Sequence, residues 1–192
     1  MTRKIILAST SPRRKELLTK TGLTFDIVSS NYEEDMTLDF PPEELVIHLS
    51  KGKAEDVAKK YQDAIVIGAD TIVAHNGKVY GKPHTSEKAK ETLKKFTGEK
   101  NNIITGFTVI DTKTGRSFSK AVSSTVYFKN YTEKDIDDYV ATGEPLDKAG
   151  AYAVQGLGKE LIEKIEGDYS CILGLPIDDI MKVLKEFNVV KP

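Results

Sequence analysis

The sequence predicts an α/β protein in which a long hairpin extends the sheet. Three observations carry that reading. Short apolar runs of strand length mix with helical-period segments along the whole chain, start and stop signals bracket those segments, and no repeat, low-complexity tract or linker interrupts them. Ile5 to Ala8 is the first apolar run and reads as a buried strand. Ser11-Pro12 follows as an N-cap with proline at the first helical position, where its missing N–H costs nothing. That helix turns Leu17 and Leu18 inward and stops at Gly22. Phe25 to Ser29 reads as a second strand, and after the acidic stretch Asn31-Tyr-Glu-Glu-Asp, Pro41-Pro42 opens a long helix to about Tyr61.

Ala64 to Ala69 reads as a buried strand with Asp70 at its end, followed by Thr71 to Ala74 and a turn at Asn76-Gly77. Ser86 to Phe96 reads as a helix with Ala89, Leu93 and Phe96 on one face, closed by Gly98. Asn102 to Asp111 and Ser117 to Phe128, joined through Thr114-Gly115, form the hairpin, with Val122, Val126 and Phe128 alternating against Ser and Thr. Thr132 with Asp135 starts a helix that ends at Gly143. The last helix runs from about Pro176 to Phe187, with Ile177, Ile180, Met181, Leu184 and Phe187 at helical spacing.

A chain of 192 residues suits one domain, or one domain with two lobes around a cleft. With 28 basic and 29 acidic residues, it lacks the basic excess that binds long nucleic acid, yet a small anionic ligand needs only a few local cations. Cys171 is the sole cysteine, so no internal disulfide forms, and no Cys/His cluster offers a zinc site. The run after Arg3 and Lys4 is too short for a signal sequence, and nothing approaches a membrane span. A cytoplasmic protein is expected, enzyme and binding protein fitting equally.

The chemistry gathers at a few places. Ser9, Thr10 and Ser11 stand at a helix N-terminus, where free N–H groups favour an anion. Arg13 and Arg14 occupy the first helical turn, against the dipole preference for acids there. Either a bound phosphate neutralises them or they are solvated. Lys53 falls inside the stripe of Leu45, Val46, Leu49 and Val57, so it either snorkels out or meets a buried anion, whereas Lys60 can reach water. Asp70, after six small or apolar residues, is costly unless a cation or metal pairs with it. Glu33 and Glu34 are carboxylates able to share a magnesium ion, or solvated loop acids. Gly81-Lys82-Pro83 puts a cation in a constrained turn, and Gln155 offers an amide to a base edge from a glycine-rich segment. His48, His75 and His84 show no ligand spacing and read as surface residues, and Cys171 as a small core residue.

Together these segments resemble the Maf family of nucleoside triphosphate pyrophosphatases. The residues are Leu7-Ala-Ser-Thr-Ser-Pro-Arg-Arg-Lys-Glu-Leu-Leu, Glu33-Glu34, Lys51-Gly-Lys-Ala, Gly68-Ala-Asp-Thr, Gly81-Lys-Pro, Asp147-Lys-Ala-Gly-Ala-Tyr and Gly174-Leu-Pro, in family order over nearly the whole chain. The resemblance implies one Maf-like domain over residues 1–192, with an elongated mixed sheet flanked by helices and two lobes around a central cleft. It implies that Asp70, Lys53, Lys82 and Glu34 are catalytic and that Ser9 and Arg14 bind phosphate. Asp70 matches the proton acceptor, and the family pattern places the second acid, Glu34, inward. Asp70 and Glu34 would hold Mg²⁺ or Mn²⁺. Arg13, Thr71 and Gln155 match the dTTP/UTP specificity positions and not those of relatives acting on 7-methyl-GTP.

The base chemistry agrees. Uracil and thymine show acceptor, donor, acceptor along the pairing edge, so Gln155 can donate to a carbonyl and accept from N3–H, while Arg13 can only donate. The expected reaction is water attack on the α-phosphorus of dTTP or UTP with pyrophosphate leaving. The expected partner is therefore a small nucleoside triphosphate, with no polymeric nucleic acid and no membrane. A homodimer is compatible with the chain, although no segment shows an interface. Ser50 and Gly52, flanking Lys51, are assigned no role. Two alternatives stand beside this: a nucleotidyltransferase, and a nucleotide-binding regulator of cell division without essential turnover.

Overall fold

β1 (Lys4–Leu7) pairs in parallel with β2 (Asp26–Ile27) and with β3 (Ala64–His75) in a computed structural model that describes residues 3–35 and 38–190. With β4 (Lys78–Tyr80), β5 (Lys100–Asp111), β6 (Ser117–Phe128) and β7 (Ile162–Glu166), they form a mixed seven-stranded sheet among the described residues. The order is β2-β1-β3-β5-β6-β7, with β4 paired to β3. Helices α1 (Pro12–Thr19), α2 (Pro42–Ala58), α3 (Ser86–Phe96), α4 (Glu133–Ala141), α5 (Tyr169–Ile172) and α6 (Ile177–Glu186) complete an α/β fold. The chain divides into two compact units. The first takes the described residues up to Thr71, then Thr105–Val122, then the described residues from Asp168 onward; the second takes Ile72–Ile104 and Ser123–Gly167.

In the first unit the two-residue period of β3 sorts its side chains. Ile65, Ile67 and Ala69 join Phe107, Val109, Leu18, Ile180 and Leu184 in the main core, while Ala64 and Val66 pack with Ile6, Ala54 and Val57 on the other face. That second face belongs to α2. Gly68 lets the helix come close: a Cβ there would stand 2.5 Å from Ser50 O and 2.8 Å from Ala54 N. The stripe on α6 is as expected, with Ile180, Leu184 and Phe187 buried and Val183 added to them.

In the second unit the turn Asn76-Gly77, with φ of 49° and 75°, joins β3 to β4 as a tight hairpin. Phe96 and Phe128 stack with centroids 5.5 Å apart, and Tyr152 meets Phe128 edge-on at 4.9 Å. The Thr132–Asp135 capping box starts α4 as expected.

Three expectations are corrected here, and two elements are new. The second strand pairs only at Asp26–Ile27, because it is an edge strand with a single neighbour and both residues are exposed. β7 and the one-turn α5 were not foreseen; in β7 the charged Glu163, Lys164 and Glu166 stand among only two apolar residues. Asp70 does not end its strand, since β3 spans 12 residues and runs on past it through β-branched Thr71, Ile72 and Val73 to His75. His75 is buried, not a surface residue: its ring packs 5.2 Å from Phe96 and its Nδ1 lies 2.9 Å from Lys100 O. His48 and His84 are exposed as expected, and Cys171 is a buried core residue.

Candidate active site

The strand period that puts Ala64, Val66 and Gly68 against α2 also puts Asp70 there. Lys53, in the apolar stripe of α2, meets it. Its Nζ lies 2.5 Å from Asp70 Oδ1 and 2.6 Å from Glu34 Oε1. The Lys53 and Asp70 side chains are 13% and 9% exposed, so the lysine answers a buried anion and does not snorkel. Lys60, by contrast, is exposed and 3.7 Å from Asp56. Burial pushes the Asp70 carboxyl above the usual carboxylate range, while Lys53 and then Arg14 pull it back and the charge on Glu34 adds to the rise. Glu33 and Glu34 are both exposed; Glu34, 44% exposed at its side chain, is the one that reaches Lys53.

Arg14 is fixed by backbone left over where β1 stops. In the β1–β3 ladder Ala8 N donates to Ile67 O, after which the chain turns away into α1. The next carbonyl on that side of β3 is Ala69 O, and Arg14 Nη1 donates to it at 2.8 Å. Arg14 Nε donates to Gly174 O at 2.8 Å, Nη1 also to Ser9 Oγ at 3.3 Å, and Nη2 to Thr71 Oγ1 at 3.2 Å. A guanidinium has five N–H donors, and among the described residues one on Nη2 has no partner. Burial, which lowers the Arg14 pKa from its usual value, outweighs the upward pull of Asp70. Ser11 occupies the N-cap of α1 as expected, but by backbone only, and its side chain makes no capping bond. The helix N-terminus is thereby left open to an anion. A polar cleft of about 160 Å³ opens there, lined by Ser9, Thr10, Arg14, Tyr32, Glu34 and Lys53 among others.

Two positions without an assigned role prove structural. Ser50 is buried and its hydroxyl bonds to Ile47 O and Thr108 Oγ1, both at 2.9 Å. Gly52 lies under the Tyr32 ring, which any Cβ there would overlap. Tyr32 Oη is 3.1 Å from His48 Nε2, and Asn31 N donates to Asp56 Oδ2 at 2.8 Å. These bonds dock the loop that carries Glu34 onto α2. A glycine inside a helix costs about 1 kcal/mol relative to alanine, which was the available signal that Gly52 has a packing reason.

The remaining candidates belong elsewhere. Arg13 is exposed on α1. Lys82 and Gln155 lie in the second unit and are both exposed. The Lys82 turn is held by His84 N donating to Leu146 O and Gly150 N donating to Gly81 O, at 3.0 and 3.1 Å. The loop after Gln155 is braced by Glu144, which accepts from Leu157 N, Gly158 N and Tyr139 Oη. The structure therefore gathers Ser9, Arg14 and Thr71 into one hydrogen-bonded group and Glu34, Lys53 and Asp70 into another, all in the first unit. Among the described residues no three His, Cys, Asp or Glu side chains cluster as a metal cage, and no helix is long and apolar enough to cross a membrane.

Residues 4–187 match the family model described as Maf-like protein. The chain is 50% identical over 188 residues to the dTTP/UTP pyrophosphatase of Methanosarcina mazei, covering 97% of this chain and 95% of that protein. It is 47% identical to the dTTP/UTP pyrophosphatase of Methanosarcina barkeri, with the same coverage. It is 42% identical to that of Geotalea uraniireducens over 187 residues, 97% and 96% of the two chains.

Proposed function

The chain belongs to the Maf family, and from that premise we propose that it hydrolyses dTTP and UTP to the nucleoside monophosphate and pyrophosphate, working as one domain in the cytoplasm. The observation that carries this is the buried Lys53 ammonium held between Asp70 and Glu34, beside an Arg14 with one N–H to spare. An anhydride cleavage needs a base for water and cations for phosphate oxygens, and this group holds both.

Asp70 accepts the proton of the attacking water; its upward-shifted pKa brings it nearer the working pH, where a base is most effective. Arg14 and the open N-terminus of α1, with Ser9, bind phosphate oxygens, and Lys53 stabilises the charge that grows on them. The donor set also fits a divalent cation. Asp70 and Glu34 converge on one centre already taken by a positive group, and Mg²⁺ or Mn²⁺ takes one or two carboxylates together with substrate phosphates. Bound there, the ion would supply charge neutralisation and a more acidic water. Lys82 adds a cation for the leaving pyrophosphate. Gln155 donates to a base carbonyl, and Arg13 and Thr71 complete the choice of uracil or thymine.

The test is product analysis with UTP, dTTP, CTP and 7-methyl-GTP, each with Mg²⁺ or Mn²⁺. Monophosphate and pyrophosphate from UTP and dTTP are expected. Binding of these nucleotides without turnover would overturn the reading and favour a nucleotide-binding regulator.

A further inference from the structure

Behind Thr71 lies a chain of hydroxyls whose direction the chemistry fixes. Cys171 O is a carbonyl and only accepts, so the Thr105 hydroxyl, 2.8 Å away, spends its one proton there. A hydroxyl has one donor and two lone pairs. Thr105 Oγ1 therefore faces Thr71 Oγ1, 2.9 Å away, as an acceptor, and Thr71 must donate. Arg14 Nη2 donates into one Thr71 lone pair at 3.2 Å. Among the described residues Thr71 is left with one lone pair and no proton. Thr105 is fully buried, so water does not compete for its bond, whereas Thr71 is partly exposed.

We propose that Thr105 is a positioning residue for substrate choice: acting through Thr71, it makes that side chain present an acceptor, and never a donor, to the nucleotide. This rests on Thr71 contacting substrate as proposed above, and it deepens that reading. The matching group on the substrate is a hydrogen-bond donor, either the 3′-hydroxyl of the sugar or the imide N3–H of uracil or thymine, in which case Gln155 serves the adjacent carbonyl alone. Cytosine, whose N3 is itself an acceptor, would oppose lone pair to lone pair. With the Thr105 hydroxyl removed, Thr71 can turn and donate instead, and the preference for a donor weakens.

The experiment compares kcat/KM for UTP against CTP, and for dTTP against its 3′-deoxy analogue, in wild type, Thr105→Val and Thr105→Ser. Thr105→Val is expected to reduce one of the two preferences roughly tenfold, and the arm that moves identifies the donor. Thr105→Ser keeps the hydroxyl and should retain the wild-type ratios. In a Thr71→Val background, Thr105→Val should change neither ratio further, whereas a purely structural role would give an additive loss. If Thr105→Val does not fold, Thr105→Cys, with its weak thiol acceptor, should shift the same ratio in the same direction. Wild-type preferences that persist in folded Thr105→Val or Thr105→Cys overturn the inference and leave the proposed hydrolysis standing. A wild-type enzyme that hydrolyses all four nucleotides alike overturns substrate reading at Thr71 as well, and no hydrolysis at all overturns the proposed function.

Discussion

The first unit ties three of its charged candidates, buried or part-buried, to regular elements: Asp70 on β3, Lys53 on α2, and Arg14 on α1 with four of its five donors used among the described residues. The second unit carries Lys82 and Gln155 exposed on turns that backbone bonds and the Glu144 carboxylate hold in place. In the first case the groups that fix the geometry are the groups to which the proposed chemistry falls. In the second the support and the functional side chain are separate. Substitutions of Asp70, Lys53 or Arg14 should therefore move activity, stability and pH dependence together, and those of Lys82 or Gln155 should move activity or substrate choice with little change in stability.

The largest effect is expected at Asp70. Asp70→Asn should lower kcat by roughly 10²–10⁴-fold with an unchanged circular dichroism spectrum, since Lys53 keeps Glu34 as its partner. Near-normal turnover would remove Asp70 from the role of base. Next comes Lys53→Met, which leaves a buried carboxylate without its nearest cation and should cost about 3–5 kcal/mol in denaturant unfolding. Lys53 favours the charged form of Asp70, so without it burial raises that pKa further. A group whose folded pKa is raised stabilises least when ionised. The loss should thus be smaller at acid pH and grow as pH rises, and the acid limb of kcat/KM should move to higher pH. A limb that stays or moves down would break the link between stability and chemistry.

Gly52→Ala should cost about 1–3 kcal/mol in thermal or denaturant unfolding, because the new methyl overlaps the Tyr32 ring and pushes the Glu34 loop off α2. Adding Tyr32→Ala should recover part of that loss; no recovery would place the cost elsewhere. The smallest change in stability belongs to Gln155→Glu, within about 0.5 kcal/mol of wild type, because the side chain is exposed. A carboxylate cannot donate to the base carbonyl, so kcat/KM for UTP and dTTP should fall roughly tenfold. An unchanged substrate profile would sink the base-reading role and blur the contrast between the two regions.

The ladder of elements was legible because caps and periodicity are local. Lys53 was legible only as a choice, since a lysine inside an apolar stripe either snorkels out or meets a buried anion, and the fold decides for the anion. The partner's setting was misread: an acid after a small apolar run looks like the end of a strand, and only the placement of α2 and the close approach at Gly68 show how the middle of β3 tolerates it. The anchoring of Arg14 was hidden because its acceptors, Ala69 O and Gly174 O, are backbone carbonyls freed by where other elements stop. His75 was misjudged because its burial depends on Phe96, 21 residues along the chain, and on Tyr80. The roles given to Lys82 and Gln155 came from resemblance, and neither residue carries a local signal strong enough to stand alone.

The most direct measurement is hydrolysis of UTP in ¹⁸O-labelled water, with mass analysis of both products. Attack at the α-phosphorus with Asp70 as base puts one ¹⁸O into UMP and none into pyrophosphate. Label found in pyrophosphate instead, or phosphate released from the γ position, would contradict the account.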